Sequence, residues 1–301
     1  MTWRAVVVCA GCLVTVAGGP RAQNETFRTS AVVVLVDVSV RENGQPVSGL
    51  APSDFTVVDD GRPQIVTSVS VDRMPIRVTV LVDTSESLDI YRDRPDGPGL
   101  TIRSRMADAL TGVAASLESG DELQLLRLAS DVRSLRTDAD LGSQRPVHHR
   151  RTSLFDAVAA ILMRRPDPVR RHLVVAATDG LDTSSALPRE LLNQVLDRSE
   201  AVVHIVSTGV VRLASSYPTA GFAEYAWVLD DLTRRSGGRY YEVRADQDFS
   251  PLLRAAVEEF RTRYVVGFTP TGVDRPGWHE LEVAVPGRSY EVRHRRGYWG
   301  G

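Results

Sequence analysis

Lysine is missing from this chain of 301 residues, so all 36 of its basic side chains are arginines. A Schiff-base lysine and a P-loop lysine are thereby excluded, and with them several common classes of enzyme. Cysteine is nearly missing as well, since the only two, Cys9 and Cys12, lie in the first apolar segment. If that segment is removed, the remaining chain has no disulfide and depends on its core for stability.

The chain also lacks an excess of charge of either sign. Its formal net charge is -2, and the arginines are scattered among acids rather than gathered in one block, so we expect no binding to nucleic acid. Apolar residues at 43% and charged residues at 25% are close to the averages for soluble proteins, which excludes disorder, collagen and a multi-span membrane protein. The length fits one large domain or two ordinary ones.

The first residues are typical of an export signal. Arg4 precedes thirteen uncharged residues, 5–17, a length that suits the apolar part of a signal peptide and is too short to span a bilayer. Small residues favour cleavage after Ala22, with cleavage after Gly18 as an alternative, and an uncleaved anchor or a buried strand as the remaining interpretation. We therefore expect a signal peptide over residues 1–22, a periplasmic or extracellular location, and no transmembrane span in the mature chain.

Two terminal segments, residues 27–72 and 263–299, have the period-two pattern of β-strands. Asn43-Gly44 and Asp60-Gly61 predict tight hairpins within the first segment. A strand is expected after the second hairpin, with one face formed by Ile65, Thr67, Val69 and Val71. Because chain termini often lie close together, we expect the two segments to pack on one another as a small β-sandwich.

The middle of the chain, residues 74–262, alternates strands with helices, which predicts an α/β domain with a doubly wound, Rossmann-like sheet. Residues 78–82 are apolar throughout, as is typical of a parallel strand buried on both faces. Further strands are expected at 123–128, 173–177, 202–206 and 240–243, and helices at about 106–117, 154–163, 187–196, 223–232 and 252–260. Ligands of such sheets bind at the carboxyl ends of the strands, where the strand order reverses.

Hydroxyl and carboxyl side chains lie at three of these strand-to-helix connections. The first group follows the first buried strand and the second precedes a helix, while the third ends a later strand: Asp83-Thr84-Ser85-Glu86-Ser87, Thr152-Ser153 and Asp179-Gly180. Each residue alone could cap a helix or close a turn. Their joint position at one edge of the sheet favours a shared site.

These three segments resemble the metal ion-dependent adhesion site (MIDAS) of the von Willebrand factor type A (VWA) domain. The resemblance implies a metal ion held by Asp83, Ser85, Ser87, Thr152 and Asp179. It extends to the flanks, where residues 47–50, 54–57, 60–64, 264–268 and 292–298 are similar to a family of exported bacterial proteins called von Willebrand factor A-related. A MIDAS ion attracts a carboxylate of another protein, so the resemblance also implies a protein partner with an exposed Asp or Glu.

The donor chemistry itself favours Mg²⁺, or Mn²⁺ in its place. Hydroxyls and carboxylates are hard oxygen ligands, and three hydroxyls with two acids would leave an octahedral ion with waters and an open position. Calcium usually takes more oxygen ligands with a larger share of carboxylates, and zinc prefers His or Cys. Glu86, Asp156 and Asp182 are also near the motifs, and we expect them to be solvated or helix-end acids rather than ligands.

Three functions remain open on the sequence. The first is an exported metal-dependent adhesion or assembly module that is not an enzyme. The second is a structural protein with a vestigial metal site that binds through its β segments. The third is a magnesium-dependent hydrolase, although no well-placed general base accompanies the proposed ligands.

Four histidines and a group of arginines have simpler interpretations. His148-His149 could bind a transition metal, but neighbours on one loop are more typical of exposed surface, and His172 and His204 are expected to pack in the core. The arginines near the end of the chain are typical of a solvated strand end, with contact to an anionic surface as the alternative: Arg293, Arg295 and Arg296.

Overall fold

The structure is a computed structural model, and it describes residues 33–71, 74–84, 102–135, 151–207, 222–242, 249–273 and 275–300. All of them belong to one compact unit, Val32–Gly301. Of the residues singled out above, those in the signal segment and five later ones lie outside the described ranges: Ser85, Glu86, Ser87, His148 and His149.

A six-stranded sheet forms the centre of the α/β part. Its strands are β6 (Ile76–Asp83), β7 (Glu122–Leu128), β8 (Val132–Leu135), β9 (Arg171–Thr178), β10 (Val202–Ser207) and β11 (Tyr240–Glu242). Their order is β11-β10-β9-β6-β7-β8, with parallel pairing throughout except for β8, which runs antiparallel to β7 at one edge. The strand order reverses between β6 and β9.

Helices cover both faces of this sheet. They are α1 (Ile102–Ala115), α2 (Leu154–Leu162), α3 (Arg189–Arg198), α4 (Phe222–Arg235) and α5 (Ser250–Arg261). One apolar core lies between the sheet and helices α1 and α5, and a second lies between the sheet and helices α2, α3 and α4. The predicted doubly wound α/β fold is therefore confirmed. None of the described helices has the length and apolar character that a bilayer crossing requires.

The terminal segments form two further sheets that face each other. One contains β14 (Glu291–Arg293), β1 (Val34–Glu42), β12 (Tyr264–Phe268) and β5 (Val66–Val71), with β2 (Gln45–Pro46) on β1. The other contains β15 (Gly297–Gly300), β13 (Gly277–Ala284), β3 (Thr56–Asp59) and β4 (Arg62–Gln64). Strands from the two ends of the chain alternate in the first sheet, and in the second sheet the two ends meet where β13 pairs with β3. A shared apolar core fills the space between the two sheets.

Both hairpin turns lie where the sequence predicts them. Asn43 (φ 50°) with Gly44 (φ 79°), and Asp60 (φ 47°) with Gly61 (φ 77°), take the left-handed backbone that a tight two-residue hairpin turn requires. The expected sandwich of the two segments is thus present. The exact domain boundaries proposed above stay a prediction.

The prediction that Ile65, Thr67, Val69 and Val71 form one face of the strand after the second hairpin is wrong. The pairing of β5 with β12 shifts between Gly267 and Phe268, so that Thr67 is an extra residue and the alternation of faces is interrupted. Ile65 precedes the strand and is 83% exposed. The partly buried residues are Val66 and Val69 instead.

The arginines near the end of the chain do not form a solvated strand end. Arg295 donates to the backbone oxygen of Leu35 at 3.0 Å, and Arg296 pairs with Asp231 of α4 at 3.1 Å. Arg293 pairs with Glu291. Arg295 and Arg296 thus connect separate elements of the fold, which a local cluster of basic residues in the sequence does not reveal.

Candidate metal centre at the edge of the sheet

Two buried aspartates lie side by side where the strand order reverses. Asp83 is the last residue of β6 and Asp179 directly follows β9, and their side chains belong to residues that are 0% and 2% exposed. Because Val82 is opposite Ala177 in the parallel ladder, Asp83 lies beside Thr178. The Thr178 hydroxyl donates to Asp83 Oδ2 at 2.7 Å. This hydrogen bond fixes the position of one carboxylate oxygen of Asp83 and thereby the orientation of the whole carboxylate.

Thr152 is brought to the same edge by backbone bonds. Its N–H donates to Thr183 Oγ1 at 2.9 Å, and its carbonyl oxygen accepts from the N–H groups of Thr183 and Ser184 at 2.9 and 3.1 Å. The next residue, Ser153, donates its N–H to the Ala129 carbonyl oxygen at 3.1 Å, just beyond the end of β7. The segment before α2 is therefore held between two other connections of the sheet.

The turn after β9 depends on glycine at position 180. Gly180 has φ +85°, a conformation that L side chains rarely adopt, and an added Cβ would lie 2.6 Å from Leu229 Cδ1. Its N–H donates to Thr178 Oγ1 at 3.0 Å, and the N–H of Leu181 donates to Asp179 Oδ1 at 3.0 Å. The same tight turn thus orients both the Thr178 hydroxyl and the Asp179 carboxylate.

The neighbouring acids hold the loop that follows. Asp156 accepts the N–H groups of Ala186 and Leu187 at 2.9 and 2.8 Å, and Asp182 accepts the N–H of Ser185 at 3.2 Å. Burial raises the pKa of Asp182, an effect that hydrogen bonds from Ser185 partly offset. Both carboxylates therefore shape the loop through backbone hydrogen bonds.

The donor set at this edge fits a hard divalent cation. The structure places Asp83, Thr152 and Asp179 in buried positions at this edge, where they offer carboxylate and hydroxyl oxygens. Oxygen donors of this kind suit Mg²⁺ or Mn²⁺ better than Zn²⁺. Ser85 and Ser87 would complete the set, and the assignment of all five residues as metal ligands stays a prediction.

A large cavity in the described region lies elsewhere. It has a volume of about 850 Å³ and is lined by apolar residues such as Leu35, Met163 and Leu191 together with Arg171 and His172, and by none of the predicted ligands. His172 stands at the start of β9, six residues before Thr178, which places it roughly 20 Å from the site at about 3.3 Å per residue. It is therefore too distant to act as a general base there.

His204 packs in the core as expected, but within a group of buried charges. Its Nδ1 accepts the N–H of Arg239 at 2.9 Å, so Nε2 carries the proton and faces Glu259 Oε2 at 2.9 Å. Glu259 also pairs with Arg263 through both carboxylate oxygens at 2.9 and 3.0 Å. Burial lowers the pKa of His204 and keeps the ring neutral.

No protein-family model matches the chain, and no curated protein sequence matches it. Among solved structures, an aerotolerance-related membrane protein from Bacteroides fragilis is 14% identical, with 62% of this chain and 98% of that chain covered and a TM-score of 0.46. Proximal thread matrix protein 1 of the mussel byssus, with a zinc-occupied MIDAS motif, is 13% identical, covers 62% and 48%, and has a TM-score of 0.44.

The VWA domain of SpRpn10 is also 13% identical, with 60% of this chain and 94% of that chain covered and a TM-score of 0.40. Identities and TM-scores this low identify neither the family nor the activity of this chain. The doubly wound order of its central sheet is observed in the chain itself.

Proposed function

We propose that this chain is an exported protein-binding module in which a divalent ion, Mg²⁺ or Mn²⁺, captures an acidic side chain of a partner protein. The observation that carries the proposal is the burial of Asp83 and Asp179 side by side at the switch point of the sheet, with Thr152 held at the same edge. Ser85 and Ser87 are proposed as the remaining ligands on the strength of the motif. Export rests on the apolar N-terminal segment.

Each described ligand has a partner that orients it for this task. Thr178 donates to one oxygen of Asp83, and the N–H of Leu181 donates to one oxygen of Asp179. The hydrogen bond from the Thr152 N–H to Thr183 Oγ1 sets the position of Thr152. A bound ion would supply a positive charge with an open coordination position, and these residues would hold it at the surface end of the strands.

Charge accounts for the selectivity for an acid. Two carboxylates offset a divalent ion only in part when water lies between them and the ion, so an incoming Glu or Asp gains a direct ionic bond in a partly desolvated place. Losing one member of such a contact typically costs about 2–5 kcal/mol. Partner binding should therefore require both the ion and a single acid of the partner.

Recovery of partners from an envelope extract tests this proposal. The expected result is that a partner is retained in Mg²⁺ and released by EDTA, and that Asp179→Asn has the same effect as EDTA. Glu190→Gln is the matched control. Glu190 is an exposed acid in the first turn of α3, and its substitution removes one negative charge, as Asp179→Asn does. A partner bound equally well in EDTA by the folded protein would refute the proposal and favour binding through the β segments.

A further inference from the structure

Three potential metal ligands meet in the β-sandwich, on a different sheet from Asp83 and Asp179. Asp59 ends β3, Asp60 lies in the turn that follows, and His279 is in β13. His279 Nδ1 is 3.1 Å from Asp59 Oδ1 and 3.3 Å from Asp60 Oδ2. Asp59 and His279 are 0% and 2% exposed, whereas the Asp60 side chain is 20% exposed, so the group is buried on two sides and reaches solvent at Asp60.

The hydrogen bonds of the imidazole fix its tautomer. His279 Nε2 is 2.8 Å from the carbonyl oxygen of Arg275, which can only accept, so Nε2 carries a proton and donates it. In the neutral ring, the lone pair of Nδ1 then faces the oxygens of two carboxylates. That arrangement is repulsive unless a cation, either a proton on Nδ1 or a metal ion, lies between the three atoms.

We propose that this cation is a divalent transition-metal ion of the Zn²⁺ class, bound by Asp59 Oδ1, Asp60 Oδ2 and His279 Nδ1. One imidazole and two carboxylates are a common donor set for such ions. Ligand atoms about 2.0–2.2 Å from a tetrahedral ion lie roughly 3.3–3.6 Å apart. The observed distances of 3.1 and 3.3 Å need to widen by only a few tenths of an ångström.

The second atom of each ligand is already bound, which leaves the first atom directed at the ion. Tyr298 donates its hydroxyl to Asp59 Oδ2 at 2.7 Å, and the N–H of Glu280 donates to Asp60 Oδ1 at 3.1 Å. The Arg275 carbonyl holds the imidazole. Partners of this kind orient the ligands of metal sites and raise their basicity.

Arg275 is the competitor of the ion. Its guanidinium binds Asp60 Oδ2 at 2.7 Å through Nη2, and its side chain is 55% exposed, so it can swing into solvent at little cost. Binding of the ion would displace this cation from Asp60 and any proton from His279 Nδ1. The position that Arg275 leaves would be open to a water molecule as the fourth ligand.

Cobalt titration of the full chain tests the site. We would strip metal with a chelator, replace Cys9 and Cys12 with serine to exclude thiolate ligands, and add Co²⁺ in excess Mg²⁺, which fills the separate site at Asp83 and Asp179. The expected result is one Co²⁺ with the intense visible absorption of tetrahedral coordination. His279→Gln and Asp60→Asn should weaken binding by at least about tenfold, the lower end of what even an indirect partner of a metal costs.

Arg275→Gln should change the affinity for Co²⁺ in the opposite direction. It should tighten Co²⁺ binding by about two- to fivefold, which corresponds to an exposed ion pair. Glu282→Gln is the control, since Glu282 is an exposed acid of the same strand and should leave the titration unchanged. The proposal would be overturned if the wild-type protein showed no tetrahedral Co²⁺ absorption, or if Arg275→Gln did not change Co²⁺ binding. The cation shared by the three side chains would then be a proton on His279. The comparison of Arg275→Gln with the wild type still tests the proposal if the His279→Gln variant does not fold.

Discussion

Glu259→Gln should be among the most destabilising single changes in this chain. Glu259 is near the end of α5 and Arg263, four residues later, lies two residues beyond the end of that helix, and their side chains are 3% and 0% exposed. Arg263 donates to both carboxylate oxygens, and His204 Nε2 lies 2.9 Å from one of them. The substitution keeps the shape of the side chain but leaves the guanidinium charge buried without its counter-ion.

The magnitude follows from that burial. Removing one member of a buried ion pair typically costs about 3–5 kcal/mol. At about 2–4 °C per kcal/mol for a chain of this size, the midpoint of thermal unfolding should fall by roughly 6–20 °C. Burial raises the pKa of Glu259, but Arg263 and His204 more than offset this and hold it well below its usual value. The pair is therefore fully charged at neutral pH, where the test is made.

Asp230→Asn is the matched control for urea and thermal unfolding. Asp230 and Arg234 form an ion pair with the same four-residue spacing, but their side chains are 33% and 57% exposed. Exposed pairs of this kind are worth about 0.3–0.5 kcal/mol. If Glu259→Gln lowered the free energy of unfolding by no more than Asp230→Asn, the reasoning from burial would be refuted.

Three further predictions concern the metal, the pH and the turn after β9. Mg²⁺ at a hundred times its dissociation constant should stabilise the fold by about 2.7 kcal/mol, and Asp83→Ala should abolish that shift in a thermal melt, so an unchanged shift would exclude this residue from the site. Burial, with Arg77 nearby, lowers the pKa of His172 to about 4, so its neutral form is favoured in the folded chain. Since the unfolded chain takes up this proton near pH 6.5, unfolding free energy should decrease as the pH falls from 6.5 to 4, and His172→Gln should flatten that dependence in urea titrations. Gly180→Ala should cost more than about 1 kcal/mol of stability and weaken Mg²⁺ binding, because of its φ of +85° and the contact with Leu229, and calorimetry showing wild-type affinity would contradict this.

The parts of the fold that the sequence predicts are those with a strong local pattern. The apolar runs of β6 and β9 mark parallel strands buried on both faces, and their ends place Asp83 and Asp179 at one edge without knowledge of any contact. Strand β8 has no such pattern, because three of its four residues are exposed. It is an edge strand that exists through pairing with β7.

Long-range contacts account for what could not be predicted. His279 lies 220 residues from Asp59, and the two meet because Leu281 of β13 pairs with Asp59 of β3 in one particular register. A shift of that register by one residue would turn His279 to the other face of the sheet. The burial of Glu259 and Arg263 is equally hidden, since a Glu and an Arg four residues apart on a helix are more often an exposed pair.

Manganese binding followed by electron paramagnetic resonance tests the central claim most directly. The Asp60→Asn variant is the starting protein, so that the proposed site in the sandwich does not contribute. We expect one bound Mn²⁺, displaced by Mg²⁺, and loss of that binding when Asp179→Asn is added, while Glu190→Gln leaves it intact. Equal Mn²⁺ binding with and without Asp179→Asn, in proteins of equal stability, would contradict the assignment of a metal centre to this edge of the sheet.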